Sequence, residues 1–322
     1  MKRTIKRESA FYLGIELLRL WGTMAVVWIH YGPRRMPGVG FAVPCFVMIS
    51  FFLSWNILDS LDTIRFHKRV RGLVIPFIVW GCVSYLIAIA TGTSTGIESL
   101  LWQLSFGHAT CTPLYYLFDV LVIMNILFML RKCLSERLFW GVTTLMVIIC
   151  LIMQYSGLNY HIFGGFPYEA SYSLGRIAEF FPHAVMGCFL ASMNPKGLRM
   201  VIIGVVLVGA GLLMVSPCRV SSQFGYGGFA PLAVSSGLVL MATAWTISPY
   251  HLSWLYVVSS TTAGVYYIHC IVGVVLSYFG YGSYLLVLLV SFLLVLSGLH
   301  LPGLYMLFNG RRSVLWDSSR NK

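Results

Sequence analysis

Three ionisable residues stand in the first long apolar segment, ESAFYLGIELLRLWGTMAVVWIHYG, which covers residues 8–32. They are Glu16, Arg19 and His30. In an α-helix, the eleven-residue step from Arg19 to His30 turns only about 20° beyond three full turns and rises about 16 Å. Glu16 precedes Arg19 by three residues and can pair with it. The spacing therefore predicts one helix face with an ion pair at one end and an imidazole at the other.

This face could bind and activate a substrate. A charge at the centre of a bilayer costs about 3 kcal/mol on insertion scales, so the face must lie against protein or water. An unperturbed imidazole titrates near neutral pH and an arginine attracts anionic groups, so the side chains on this face are of chemically active types. A structural alternative stays open, in which Glu16 and Arg19 only stabilise the bundle and His30 is hydrated at the membrane surface.

Further polar residues interrupt other apolar segments, and each is a candidate for substrate contact or for a structural role. Asp119 stands in PLYYLFDVLVIM, Arg176 and Glu179 in LGRIAEFFPHAVMG, and His269 in GVYYIHCIVG. The three-residue spacing of Arg176 and Glu179 predicts a second ion pair. Asp119 has no local partner, so we expect an arginine from another helix beside it.

A basic run occurs in DSLDTIRFHKRVRGLVIPF, which we interpret as a loop before a span that begins near Leu73, with Pro76 in its first turn. The run contains Arg65, Lys68, Arg69 and Arg71. Several cationic donors at a helix N-terminus attract phosphate groups, which predicts an anion site. Retention of basic residues on the cytoplasmic side explains the run equally well. Glycine-rich nucleotide-binding motifs do not occur in the sequence.

The composition indicates an all-α, polytopic membrane protein. Of 322 residues, 58% are hydrophobic and 10% are charged. A spanning helix needs about 20 mostly apolar residues. Ten segments fit: about 10–31, 37–57, 73–91, 113–130, 138–156, 174–193, 198–216, 229–247, 254–279 and 284–308. An amphipathic piece surrounds Ile97–Phe106. We expect one integral membrane domain over residues 1–322, whose first segment is retained rather than cleaved as a signal peptide.

The distribution of Lys and Arg predicts the orientation. With the N-terminus in the cytoplasm, 18 of the 22 basic residues fall on the inner side and four on the outer side. Both termini are then cytoplasmic, which requires an even number of spans. The net charge of +12 is thus explained by topology, and no nucleic-acid partner is expected.

The eight cysteines show no C-x-x-C pair and no companion histidine spacing, so we predict no metal site. Cys111 and Cys218 fall in loops that the topology places on one face, which leaves a disulfide between them open.

Six segments, in order along the chain, resemble the acyltransferase-3 family of bacterial membrane O-acyltransferases. They are IELLRLWGTMAVVWIH, VGFAVPCFVMISFFLSW, FHKRVRGLVIPFIVW, TPLYYLFDVLV, GRIAEFFPHAVMGCFL and TAGVYYIHCIV. The first carries the family's R-x10-H spacing, which ends at His30. Three details depart from the family pattern. Ser50 is followed by Phe51 rather than glycine, R-x-x-R is present only as Lys68-x-x-Arg71 or in a shifted register including Arg69, and Cys270 stands where a proline often follows the histidine.

The resemblance implies a ten-helix enzyme of the bacterial cytoplasmic membrane. It would move an acyl group, most often acetyl, from cytoplasmic acyl-CoA to a hydroxyl of an envelope carbohydrate or lipid-linked glycan. No tightly bound cofactor is expected, and no esterase-like domain. His30 would act as general base or acyl carrier. Arg19, held by Glu16, would orient this base, contact the acyl-CoA or stabilise the thioester oxyanion. Lys68, Arg69 and Arg71 would bind the CoA phosphates, and Asp119, Arg176, Glu179 and His269 stay candidates for substrate or structural roles.

Two hypotheses from other classes stay open. Intramembrane ion pairs and a histidine near one interface also suit an exporter of lipid-linked glycans or small solutes. Against a transporter, the sequence shows neither paired half-helices nor a repeat that relates its two halves. A non-catalytic envelope protein would leave the alignment of Glu16, Arg19 and His30 unexplained.

Overall fold

A computed structural model describes residues 11–33, 39–92, 96–106, 114–156, 168–214, 227–244, 246–247, 258–298, 301 and 308. Almost all of these residues are helical, which confirms the all-α prediction. The helices are α1 Leu13–Tyr31, α2 Ala42–Asp59, α3 Thr63–Ala90, α4 Ile97–Phe106, α5 Tyr115–Cys133, α6 Glu136–Ser156, α7 Tyr168–Met193, α8 Leu198–Met214, α9 Phe229–Thr243, α10 Thr262–Tyr278 and α11 Tyr284–Gly298. A 3₁₀ turn, Val39–Phe41, precedes α2.

Each of the ten predicted apolar segments overlaps one of these helices, and the predicted amphipathic piece is α4. Among the described helices, α1, α2, α3 and α6 are long and apolar enough to cross a membrane. The helices α8, α9, α10 and α11 are also apolar but shorter. The structure therefore supports a membrane protein, and the number of ten spans stays a prediction.

A two-stranded ladder was not predicted. The chain leaves helical geometry after Thr243, within the segment predicted as one span over 229–247. It continues as β2, Thr246–Ile247, antiparallel to β1, Phe11–Tyr12, with Phe11 opposite Ile247. Both residues of β2 are β-branched, and these side chains favour extended backbone over helix. The ladder joins the start of α1 to the end of α9.

The basic run lies on a helix, which corrects its interpretation as a loop. Asp62 is the N-cap of α3, and its side chain accepts a hydrogen bond from the Arg65 amide at 3.0 Å. This cap starts the helix at Thr63, ten residues before the predicted start at Leu73. Pro76 consequently lies inside α3 rather than in its first turn. The basic side chains, not free helix N-terminal amides, are therefore the donors available to an anion.

The helix α1 is packed among several others, which places its polar face inside the bundle. It contacts α2, α9, α10 and α11. Its crossing with α9 is close enough that a Cβ on Gly14 would overlap the backbone of Ala242. The buried residues of α1 are Ile15, Gly22, Thr23, Ala25, Val26 and Val27. Leu17, Met24 and Ile29 are exposed apolar side chains, as expected of a lipid-facing side.

Candidate functional site

The predicted ion pair on α1 is present. Arg19 Nη1 donates to Glu16 Oε2 at 2.9 Å, and the two side chains are 24% and 12% exposed. One turn later, the Thr23 hydroxyl donates to the Arg19 carbonyl at 3.0 Å. This pair is thus partly open, and the contact with Glu16 uses one guanidinium nitrogen of Arg19.

A second arginine joins this end of the site, which we call the arginine end: Glu16, Arg19, Arg69, Tyr116 and Tyr267. The charges of Arg19 and Arg69 both act on the Tyr116 and Tyr267 hydroxyls. These residues come from α1, α3, α5 and α10, so four helices converge here. Both tyrosines are buried. Two positive charges that act on the same buried phenols favour an anionic or strongly polar ligand in this region.

Tyr116 also joins two of the motif segments. Its hydroxyl lies 2.6 Å from Ser50 Oγ and donates to the Phe46 carbonyl at 3.0 Å. Ser50 and Phe46 belong to α2, in the segment VGFAVPCFVMISFFLSW. The contact fixes Tyr116 of α5 against α2, beside the arginine end.

The three predicted phosphate ligands face two directions. Lys68 and Arg71 are exposed and lie three residues apart on one side of α3. Arg69 is partly buried and belongs to the arginine end. The exposed pair can meet a ligand at the surface of the bundle, while Arg69 can meet its inner part.

At the other end of α1, His30 lies beside His269, a contact that the sequence did not predict. Their ring centroids are 5.3 Å apart. His30 is exposed at the end of α1, and His269 on α10 is fully buried. Together with Tyr31 and Cys270 they form what we call the histidine end. Both histidines were candidates, but their contact joins residues that are far apart in the sequence.

Hydrogen bonds fix the tautomer of His269. Its Nδ1 lies 2.8 Å from the Tyr266 carbonyl and 3.2 Å from the Val265 carbonyl. Carbonyl oxygens only accept, so Nδ1 carries the hydrogen and Nε2 carries a lone pair in the neutral ring. Nε2 lies 3.4 Å from Cys270 Sγ. The basic nitrogen of His269 is therefore turned toward the histidine end.

Two contacts clamp the end of α1 in place. The Tyr31 hydroxyl donates to the Cys270 carbonyl at 3.1 Å, and a Cβ on Gly273 would overlap the Tyr31 phenol. Trp28 packs edge-on against Tyr284 of α11, with ring centroids 4.7 Å apart. A glycine at position 273 thus allows Tyr31 to reach α10, and this contact positions His30 against His269.

Aromatic rings connect the two ends of the site. Tyr116 and Tyr266 have ring centroids 5.2 Å apart, and Tyr266 lies 6.0 Å from His269. Phe46 packs against Tyr266 at 5.7 Å. Sequence reasoning missed Tyr116, Tyr266 and Tyr267, because aromatic residues in an apolar segment indicate packing as readily as function. Only their position in the arginine end, or between it and the histidine end, distinguishes them.

Asp119 has the arginine partner that its sequence context predicted. Arg176 Nε donates to Asp119 Oδ2 at 2.9 Å, and Nη2 lies 3.3 Å from Oδ1 and from Ser173 Oγ. The rings of Tyr115 and Tyr172 flank the guanidinium at 4.8 and 5.1 Å. This enclosure indicates a structural pair between α5 and α7.

The pair predicted within α7 needs a correction, because the ion pair that the structure shows for Arg176 is the one with Asp119. Asp119 on α5 presents both carboxylate oxygens to Arg176, at 2.9 Å from Nε and 3.3 Å from Nη2, which is the two-point geometry that arginine–carboxylate pairs favour. Glu179 is buried one turn further on, beside Gly227 and Gln154. Cys111 and Cys218 lie outside the described residues, so the question of their pairing stays a prediction.

Comparison with protein families decides the class of the molecule. A family model described as an acyltransferase domain matches residues 12–304. The chain belongs to the acyltransferase-3 family. The resemblance predicted from the six segments is therefore confirmed, and the chain is a membrane protein with an acyltransferase domain. No curated protein and no solved structure matches the chain. Every residue of the arginine end and the histidine end falls within the matched range.

Proposed function

We propose that the protein is a membrane O-acyltransferase that moves an acyl group, acetyl as the simplest case, from acyl-CoA to a hydroxyl of an envelope carbohydrate. The observation that carries the proposal is the arrangement along α1. At one end lie the Arg19–Glu16 pair and two tyrosines on which the charges of Arg19 and Arg69 act. At the other end, His30 meets His269. One end suits the anionic donor and the other suits proton transfer, as an acyltransferase requires.

The proposed topology has ten spans, α1–α3 and α5–α11, with both termini in the cytoplasm. The uneven distribution of Lys and Arg supports this orientation. The arginine end and the exposed pair Lys68 and Arg71 then face the cytoplasm, where acyl-CoA is available. The histidine end lies toward the outer surface of the cytoplasmic membrane, where the glycan is available. The site thereby connects a donor on one side with an acceptor on the other.

The donor would bind from the surface of the bundle inward. Lys68 and Arg71 are exposed and would hold the CoA phosphates, and Arg69 and Arg19 would contact the part that enters the bundle. The rise of about 16 Å from Arg19 to His30 is too long for Arg19 to orient the imidazole directly. Its role is therefore contact with acyl-CoA, and Glu16 holds it in place. The aromatic rings between the two ends would line the path of the pantetheine arm.

The chemical step is direct transfer with His30 as the base. His30 takes the proton of the carbohydrate hydroxyl as its oxygen attacks the thioester carbonyl. The tetrahedral intermediate then collapses, the carbon–sulfur bond breaks, and the CoA thiolate leaves with the proton from His30. The products are an ester and free CoA. In the alternative, His30 attacks the thioester first and carries the acyl group before the hydroxyl receives it.

The test uses purified protein in lipid vesicles with labelled acetyl-CoA and the cell-envelope glycan fraction as acceptor. We expect labelled ester and free CoA in equal amounts. Movement of the glycan across the vesicle membrane without release of CoA would overturn the proposal in favour of a transporter. Label that stays on the protein in the absence of acceptor, and is lost in His30→Ala, would support the acyl-histidine route.

The acceptor and the acyl group can be identified together. Surface glycan from a strain that lacks the gene and from the complemented strain is compared by mass spectrometry. We expect one added acetyl mass per modified sugar in the complemented strain. A larger added mass would identify another acyl group, and identical spectra would exclude a surface glycan as the acceptor.

A further inference from the structure

We propose that His30, His269 and Cys270 form a zinc-binding site, and that bound zinc blocks acyl transfer. The binding part of the proposal stands on geometry alone, and the inhibitory part rests on the proposed role of His30. The sequence indicated no such site because the residues do not follow any metal-binding spacing. The contact between α1 and α10 brings them together.

The donor atoms are close enough for one ion. The ligand atoms of His30, His269 and Cys270 all lie within 4.8 Å of one another, and His269 Nε2 lies 3.4 Å from Cys270 Sγ. Around tetrahedral zinc, such atoms lie about 3.4–3.6 Å apart, given bond lengths near 2.0–2.1 Å to nitrogen and 2.3 Å to sulfur. The His269–Cys270 separation already meets this condition. Rotation of the exposed His30 side chain would bring its ring nitrogen to the same distance from the other two ligand atoms.

The hydrogen bonds of His269 are those of a metal ligand. A zinc-bound histidine almost always donates its second N–H to a carboxylate, a backbone carbonyl or water, which fixes the ring and its tautomer. His269 Nδ1 does so toward the Tyr266 carbonyl at 2.8 Å. Its Nε2 lone pair is therefore oriented toward Cys270 and His30 before any ion arrives. This observation is independent of the clustering of the three residues.

The donor set selects the kind of ion. Two imidazoles and one thiolate suit Zn²⁺, whereas Mg²⁺ and Ca²⁺ prefer oxygen ligands. Coordination releases the thiol proton of Cys270 to water, and a water molecule would complete the tetrahedron. His269 and Cys270 are buried, while His30 is exposed, so the ion would enter from the side of His30. The zinc ion would coordinate the ring nitrogen with which His30 otherwise accepts a proton, so His30 could no longer act as a base.

The first experiment measures zinc on purified protein that has been stripped with a chelator. We expect one zinc per chain, bound at least tenfold more weakly by Cys270→Ala and by His30→Ala. Because His30 is exposed, its removal leaves the buried packing intact.

Cobalt in place of zinc should give a thiolate-to-cobalt charge-transfer absorption that Cys270→Ala lacks. Cys133→Ala, which removes an exposed cysteine at the end of α5, is the matched control. Equal zinc affinity in wild type and Cys270→Ala would overturn the site.

The second experiment titrates zinc into the acyl-transfer reaction, with each variant compared with its own zinc-free rate. We expect zinc to inhibit the wild type, Cys270→Ala to need at least tenfold more zinc for half inhibition, and magnesium to have no effect. If zinc binds at the site and transfer continues unchanged, the inhibitory part and the role of His30 are both wrong. If transfer is lost in His30→Ala but zinc does not bind, only the zinc site is wrong.

Discussion

The Arg176–Asp119 pair and the Arg19–Glu16 pair differ in how completely they are enclosed. Arg176 and Asp119 are 1% and 0% exposed, and the guanidinium also reaches Ser173 and lies between two tyrosine rings. Arg19 and Glu16 are 24% and 12% exposed and share a single contact at 2.9 Å. The enclosed pair joins α5 to α7, whereas both residues of the open pair lie on α1. Enclosure indicates a structural role, and openness leaves donors for a ligand.

The energetics of the two pairs follow from this difference. Removal of one partner from a buried pair leaves an uncompensated charge and costs about 3–5 kcal/mol. A partly exposed pair is solvated when broken and contributes about 0–1 kcal/mol. Changes at Asp119 and Arg176 should therefore affect folding, and changes at Arg19 should affect activity.

The largest expected effect is on stability, from Asp119→Ala. We expect the free energy of unfolding in detergent to fall by about 3–5 kcal/mol, because Arg176 remains buried without its partner. Denaturant unfolding followed by tryptophan fluorescence measures the change. The double variant Asp119→Leu with Arg176→Met is the control, and it should regain much of the loss. Unchanged stability of Asp119→Ala would show that the enclosed pair does not hold α5 and α7 together.

The second effect is on catalysis, from Arg19→Ala. We expect kcat/KM for acyl-CoA to fall about 10–100-fold, mainly through a higher KM, since acyl-CoA binding loses a charged hydrogen-bond donor worth about 1.5–3 kcal/mol. The free energy of unfolding should change by less than about 1 kcal/mol. Arg65→Ala is the matched control, because Arg65 forms an ion pair of the same spacing with Asp62 at 3.2 Å on the surface. A wild-type kcat/KM for Arg19→Ala would remove the functional distinction between the open pair and the enclosed pair.

A third change tests the clamp at the histidine end. Gly273→Ala places a methyl group where the Tyr31 phenol lies, and overpacking of this kind costs about 1–3 kcal/mol. We expect a lower free energy of unfolding and slower acyl transfer, because displacement of Tyr31 also moves the adjacent His30. The double variant Gly273→Ala with Tyr31→Leu relieves the overlap and should recover stability but not the full rate. Equal stability of Gly273→Ala and wild type would contradict the close packing.

The smallest effects are expected at the exposed basic pair. Lys68→Gln and Arg71→Gln should each raise the KM for acyl-CoA about two- to fivefold, with kcat nearly unchanged, since exposed charges contribute little individually. Added salt should raise the wild-type KM and reduce the difference between wild type and variants. A fall in kcat with constant KM would place these residues in the chemical step instead.

The sequence predicted what depends on local spacing. The helical period placed Glu16, Arg19 and His30 on one face, and the isolation of Asp119 required an arginine from elsewhere. It did not predict that Arg176 pairs with Asp119 rather than within α7, because the choice depends on how α5 and α7 pack. The neighbourhood of His30 and His269 depends on the packing of α1 against α10 in the same way. The start of α3 could have been predicted, since an aspartate at position 62 followed by Thr63 is an N-cap signal.

The most direct test of the proposed catalytic site is the rate of acyl transfer by His30→Ala in lipid vesicles. Loss of the general base should lower the rate about 10²–10⁴-fold, while the protein accumulates in the membrane at the wild-type level. His67→Ala, which removes an exposed histidine on α3, is the control and should transfer at the wild-type rate. If His30→Ala modifies the glycan as fast as the wild type, the assignment of His30 as base is wrong.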